Sequence, residues 1–116
     1  MKRPIGIQLY SLRTRAAQDL AGVLKDVADI GYQGVETAGL YGKTAPEVRK
    51  MTDDLGLVVC SAHTRMPAPE NVNEIVDTAK TLGYTHVISG LGPDDFMTLD
   101  AIKAGADKCQ AAAELL

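Results

Sequence analysis

The chain has 116 residues, 46% of them apolar, and carries 12 Lys or Arg against 15 Asp or Glu for a net charge of −3. Such a length is one domain at most, and the interspersed charges leave no basic stripe of the kind that neutralises a nucleic-acid backbone. No apolar run approaches the roughly 18 residues of a membrane span, and Pro4, Gly6 and Gln8 interrupt any signal-peptide core behind Met1-Lys2-Arg3, so the expected compartment is the cytosol.

The first predicted element is a strand over residues 5 to about 11, entered through Pro4. A helix follows from Ala17 or Asp19 to Ile30, with Leu20, Val23, Leu24 and Val27 on one face at helical spacing. Gly31, Gly56 and Gly83 each close such a helical pattern and precede a short β-branched apolar run. Glycine suits the left-handed position just past a helix end, and a run that short reads as a strand buried on both faces. The second strand is predicted over 34–37. Beyond it Thr44-Ala45-Pro46-Glu47 has the capping-box form, opening a helix with Val48, Met51 and Leu55 inward. The third strand covers 57–63. The third helix begins near Pro69 and carries Val72, Ile75, Val76, Ala79 and Leu82. A fourth strand covers 86–91, and Thr98 caps a last helix with Leu99, Ile102, Ala106, Cys109, Ala113 and Leu116 as its apolar stripe. Cys60, in the third strand, and Cys109, on that stripe, read as reduced core residues.

Strand and helix thus alternate four times, which implies parallel strands joined by right-handed crossovers. The first strand-to-helix turn, Leu9-Tyr10-Ser11-Leu12-Arg13-Thr14, lacks the glycines of a dinucleotide-binding fold. The α/β pattern that remains is a (β/α)4 half of an eightfold TIM barrel, with residues 1–116 forming a single partial domain. Its outer strands, the first and the fourth, are apolar edges, so self-association through them is expected.

In barrels of this kind reactive groups stand at the C-terminal ends of the strands. Those ends offer Gln8 and Tyr10, Glu36, His63 and Ser89. Strand alternation sets Glu36 opposite Val35 and pairs Gln8 with Tyr10 on one face. Neighbouring strands lie about 4.8 Å apart, which puts Glu36 and His63 within reach of a hydrogen bond. Glu36 is a substrate-hydroxyl acceptor or general base, or else a buried carboxylate satisfied by Gln8, Tyr10 or His63. His63 contacts substrate or metal, or makes a structural hydrogen bond. His86 opens its strand and faces the barrel bottom. Arg13 and Arg65 lie in the upper loops, where they meet an anionic substrate or solvent. Tyr41 lines a pocket or packs its loop, and Asp94-Asp95 reads as turn and capping chemistry. Glu36 and His63 supply two metal ligands at best, short of the three or four a site needs.

Pro4-Ile5-Gly6-Ile7-Gln8-Leu9-Tyr10-Ser11-Leu12-Arg13, with Gly34-Val35-Glu36-Thr37-Ala38-Gly39-Leu40-Tyr41-Gly42 and Ser61-Ala62-His63, closely resembles the sugar phosphate isomerase/epimerase family of the xylose isomerase-like TIM-barrel superfamily. The resemblance extends over essentially the whole chain. It implies a complete barrel that binds a divalent cation (Mn²⁺, Mg²⁺, Co²⁺ or Zn²⁺) at its mouth. The metal holds two substrate oxygens while paired glutamates move a proton through an enediol-like intermediate. The family's metal-binding carboxylates and histidine come from strands five to eight, so none maps onto these residues, and tight metal binding by this chain alone is not expected. Glu36 and His63 match inward positions that line the substrate pocket, with Gln8 and Tyr10 beside them. The implied function is the N-terminal half of a sugar or sugar phosphate isomerase/epimerase. One alternative is a non-catalytic half-barrel that self-associates and binds a small polyol. Others are an endonuclease IV-like enzyme, against which the acidic balance weighs, and an inosose dehydratase-like lyase.

Overall fold

The computed structural model, which describes residues 3–116, forms one parallel sheet of β1 (Gly6–Gln8), β2 (Gly34–Ala38), β3 (Val58–His63) and β4 (Val87–Ile88), side by side in chain order. Between and after them run α1 (Leu20–Ile30), α2 (Ala45–Asp54), α3 (Val72–Leu82) and α4 (Leu99–Glu114). Strands placed in sequence order with a helical crossover after each are the layout of half a (β/α)8 barrel. In such a barrel one face of the sheet takes the helices and the other becomes the lumen.

The helix face is built from alternate residues. Val35 and Val59 pair across β2 and β3 and are 0% and 3% exposed. They share a core with Leu20, Val23, Leu24 and Val27 of α1, Val48 of α2, and Leu82 and Tyr84 at and just beyond the end of α3. The ends of these helices follow their local chemistry. Asp19 accepts a hydrogen bond from the Gly22 amide at the start of α1. Thr44 and Glu47 form the reciprocal capping box of α2. The left-handed turns predicted at Gly31, Gly56 and Gly83 have φ of 106°, 67° and 83°. No helix among the described residues is long and apolar enough to cross a membrane.

Several elements differ from expectation. β1 stops at Gln8, and Leu9–Leu12 winds into a 3₁₀ turn, followed by a single helical turn over Arg13–Ala16. Leu9 stays in the core at 1% exposed, on the helix side of the sheet like Ile7 and Val35. β4 is two residues long rather than six. α3 begins at Val72, not near Pro69, because the Asn71 side chain accepts from the Ala68 amide and donates to the Met66 carbonyl, holding the preceding residues in a turn. The largest difference lies in α4. Thr98 caps it as expected, accepting from the Ala101 amide, but its apolar stripe is not buried: Leu99, Ile102 and Leu116 are exposed, and the residues it does bury are Gly105 and Ala112.

Both cysteines are exposed, against the expectation of core positions. Cys109 falls with the unburied stripe of α4. Cys60 sits at an irregularity in β3: Val35 pairs with Val59, but Glu36 pairs with Ser61. One extra residue is thus accommodated in β3 as a bulge. Its thiol contacts the Val35 carbonyl at 3.3 Å and covers Gly6 and Gly34, whose missing side chains leave it room on the lumen face.

Candidate functional site

The bulge sets the geometry of the lumen face. In the register it creates, Gln8 of β1, Glu36 of β2 and Ser61 of β3 stand level across three strands. Gln8 Nε2 donates to Glu36 Oε1 and Ser61 Oγ donates to Glu36 Oε2, each at 2.5 Å. Donors from both neighbouring strands therefore fix the carboxylate in one orientation. A carboxylate offers about four lone-pair positions, so two acceptor positions remain for a third party. Hydrogen bonds to a charged acceptor are the stronger kind, and the part-buried setting strengthens them further. Glu36 is thus a preorganised acceptor near the C-terminal end of β2.

Gln8 and Glu36 occupy the lumen positions predicted for them. Tyr10 does not share their face. It lies on the 3₁₀ turn, 55% exposed, with the Arg13 guanidinium 4.2 Å over its ring and donating to its carbonyl. The anticipated contact between Glu36 and His63 is also absent: His63 is level with Ala38, two residues beyond Glu36 and at the very end of its strand. His63 is exposed there. Ser61 is the residue that sequence reasoning missed. A serine in an apolar strand beside a glutamate-bearing one was the available signal, but ordinary alternation places it on the helix face.

Other candidates are tied to structure. The Ser89 hydroxyl donates to the carbonyls of Thr64 and Arg65, holding the loop after β3. Tyr41, at φ 53°, donates to the Leu9 carbonyl and so clamps the loop after β2 over the end of β1; burial pushes its phenol pKa up, with the Arg13 charge opposing. His86 is exposed and bonds Thr85 through Nδ1. Asp95 accepts from the Gly92 amide and from Lys108, capping a 3₁₀ turn over Pro93–Phe96.

Among the described residues no three His, Cys, Asp or Glu side chains converge in a way that holds a metal ion. Glu36, the one lumen carboxylate, already has a donor on each oxygen. The described residues do not make the divalent-metal centre that the family resemblance implies.

The fold defines the class: an α/β chain of four parallel strands laid out as half of a TIM barrel. Solved structures agree. Two sugar phosphate isomerase/epimerase structures from Parabacteroides distasonis superpose with TM-scores of 0.78 and 0.69, each at 24% identity; they match 98% and 99% of this chain over 50% and 48% of their own lengths. An AP endonuclease of family 2 from Brucella melitensis superposes at 0.72 with 13% identity, over 97% of this chain and 49% of its own. The chain therefore spans about half the length of the structures it matches. At these identities the likeness establishes the fold, which many chemistries share. No family model and no curated protein matches the sequence.

Proposed function

We propose that this chain forms the N-terminal half of a sugar or sugar phosphate isomerase/epimerase barrel, and that its own part in the reaction is to orient substrate hydroxyls at the mouth. The observation that carries this reading is the Gln8–Glu36–Ser61 layer. A carboxylate held by two donors at a strand end is poised to accept hydroxyl protons from a polyol, and the fixed geometry lowers the cost of ordering it on binding. His63, one level nearer the mouth, would meet the next oxygen along the substrate. The proton transfer and the divalent cation that the family resemblance implies would be supplied by the second half of the barrel, in the cytosol.

The test uses the complete barrel. Glu36→Gln keeps the shape and removes the charge, and is expected to lower kcat/KM roughly ten- to a thousand-fold, the loss of one or two charge-assisted hydrogen bonds, with metal content unchanged. Loss of the metal from a folded variant would reassign Glu36 as a ligand.

A second reading is favoured by what the structure leaves open. β1 and β4 are unpaired on their outer sides, and Phe96, Met97, Leu99 and Leu116 are exposed. A self-associating half-barrel that binds a small polyol without turnover would cover these surfaces. Light scattering of the chain at micromolar concentration decides: a dimer or larger species supports it, and a monodisperse monomer removes it.

A further inference from the structure

One concavity among the described residues meets the lumen mouth only at His63. It lies on the helix side of the sheet, a cavity of about 650 Å³ beneath α3 and beside the loops that follow β2 and β3. That volume is in the range of small-molecule sites. Two of its lining side chains are deeply buried and polar: Thr37 is 3% and Tyr84 5% exposed. Neither hydroxyl makes a hydrogen bond among the described residues, and neither is sealed from solvent. Both hydroxyls are therefore uncommitted within the protein and free to bond solvent or a ligand. Burial pushes the Tyr84 phenol pKa up, which keeps it a proton donor at neutral pH. The rim carries Lys43 from the loop after β2 and Arg65 from the loop after β3, opposite the one acidic lining residue, Glu74 of α3. None of these three is in an ion pair among the described residues.

We infer that this cavity is a second ligand site, separate from the Glu36 layer, for a small phosphate-type oxyanion. Lys43 and the forked guanidinium of Arg65 neutralise the anion, while the Thr37 and Tyr84 hydroxyls donate to its oxygens. Four donors drawn from two loops, a strand and the segment following α3 would lock the outer helix layer to the sheet when the site fills.

The test is a titration of the 116-residue chain with inorganic phosphate, followed by ¹H–¹⁵N NMR at constant ionic strength set with sodium chloride. Saturable shifts at the amides of Thr37, Lys43, Arg65 and Tyr84, with Gln8 and Glu36 unmoved, are expected. Arg65→Gln and Lys43→Gln, both at exposed positions, should each weaken phosphate roughly tenfold. Thr37→Val, nearly the same shape, should weaken it with the spectrum still that of the folded chain. Shifts that never saturate, that centre on the lumen residues, or that survive both charge substitutions would overturn the site. Acetate binding as tightly as phosphate would overturn the phosphate assignment.

Discussion

α1 and α4 are both amphipathic helices started by a polar cap, Asp19 and Thr98. α1 buries Leu20, Val23, Leu24 and Val27, whereas α4 buries Gly105 and Ala112 and leaves Leu99 75% exposed. The difference is one of position. α1 returns across a sheet already wide enough to receive it. α4 follows the outermost strand, which is two residues long, and holds mainly to the turn before it, where Lys108 pairs with Asp95. An apolar stripe at helical spacing states that a helix needs a partner surface; it does not say that the partner lies within the same residues. The chain thus divides into a region around 9–84 that carries the core and a C-terminal region that rests against it.

The sharpest test of that division is a matched pair of truncations. Leu24→Ala, at 0% exposed, is expected to cost about 2–5 kcal/mol in urea denaturation, while Leu99→Ala stays within about 0.5 kcal/mol. Similar losses from both would show that α4 is packed in solution. Smaller effects come from the caps. Thr44→Ala should lower global stability by about 0.5–2 kcal/mol. Thr98→Ala removes the same kind of bond, yet it should speed amide hydrogen exchange within α4 and leave the global transition in place, because that helix opens locally.

The smallest effect is in the acid range. Glu47 is held below its ordinary carboxylate pKa, first by the Thr44 amide and then by the Thr44 hydroxyl; Asp95 is held below its own, first by Lys108 and then by the Gly92 amide. For a depressed folded-state pKa the stabilisation is present above the unfolded value and fades as pH falls through the folded one. Carbon-detected NMR should find both groups titrating below their ordinary values. Glu47→Gln should flatten the acid limb of global unfolding, and Asp95→Asn should leave it unchanged if the C-terminal region contributes little.

Much of this was legible in the residues. The order of strands and helices, the buried face of α1, the capping box at Thr44 and the turns after α1, α2 and α3 follow from local rules with short range. So did the lumen position of Glu36, since alternation with Val35 needs only that β2 be extended. What escaped depended on contacts between distant segments. Nothing around Cys60 announces a bulge, yet that single residue swaps Ser61 into the Glu36 layer and sets His63 level with Ala38, two residues beyond Glu36. Tyr10 was misplaced because β1 ends at Gln8 and the 3₁₀ turn over Leu9–Leu12 breaks the alternation. The exposure of α4 and of Cys109 reflects where that helix lies, against the turn before it and not across the sheet. The cavity beneath α3 assembles residues from β2, β3, two loops and Tyr84, a set no spacing rule would gather.

The bulge has one more consequence, in chemical kinetics. Because the bulge leaves Cys60 without a partner residue on β2 while its thiol stands on the lumen face over Gly6 and Gly34, the rate at which a maleimide or iodoacetamide labels Cys60 becomes a clock for closure of that space. In the chain as it stands the sulfur is accessible and should label readily. Once a second half-barrel, from any source, completes the wall, labelling at Cys60 should slow, and Cys109 on the outer helix supplies the internal reference in the same tube.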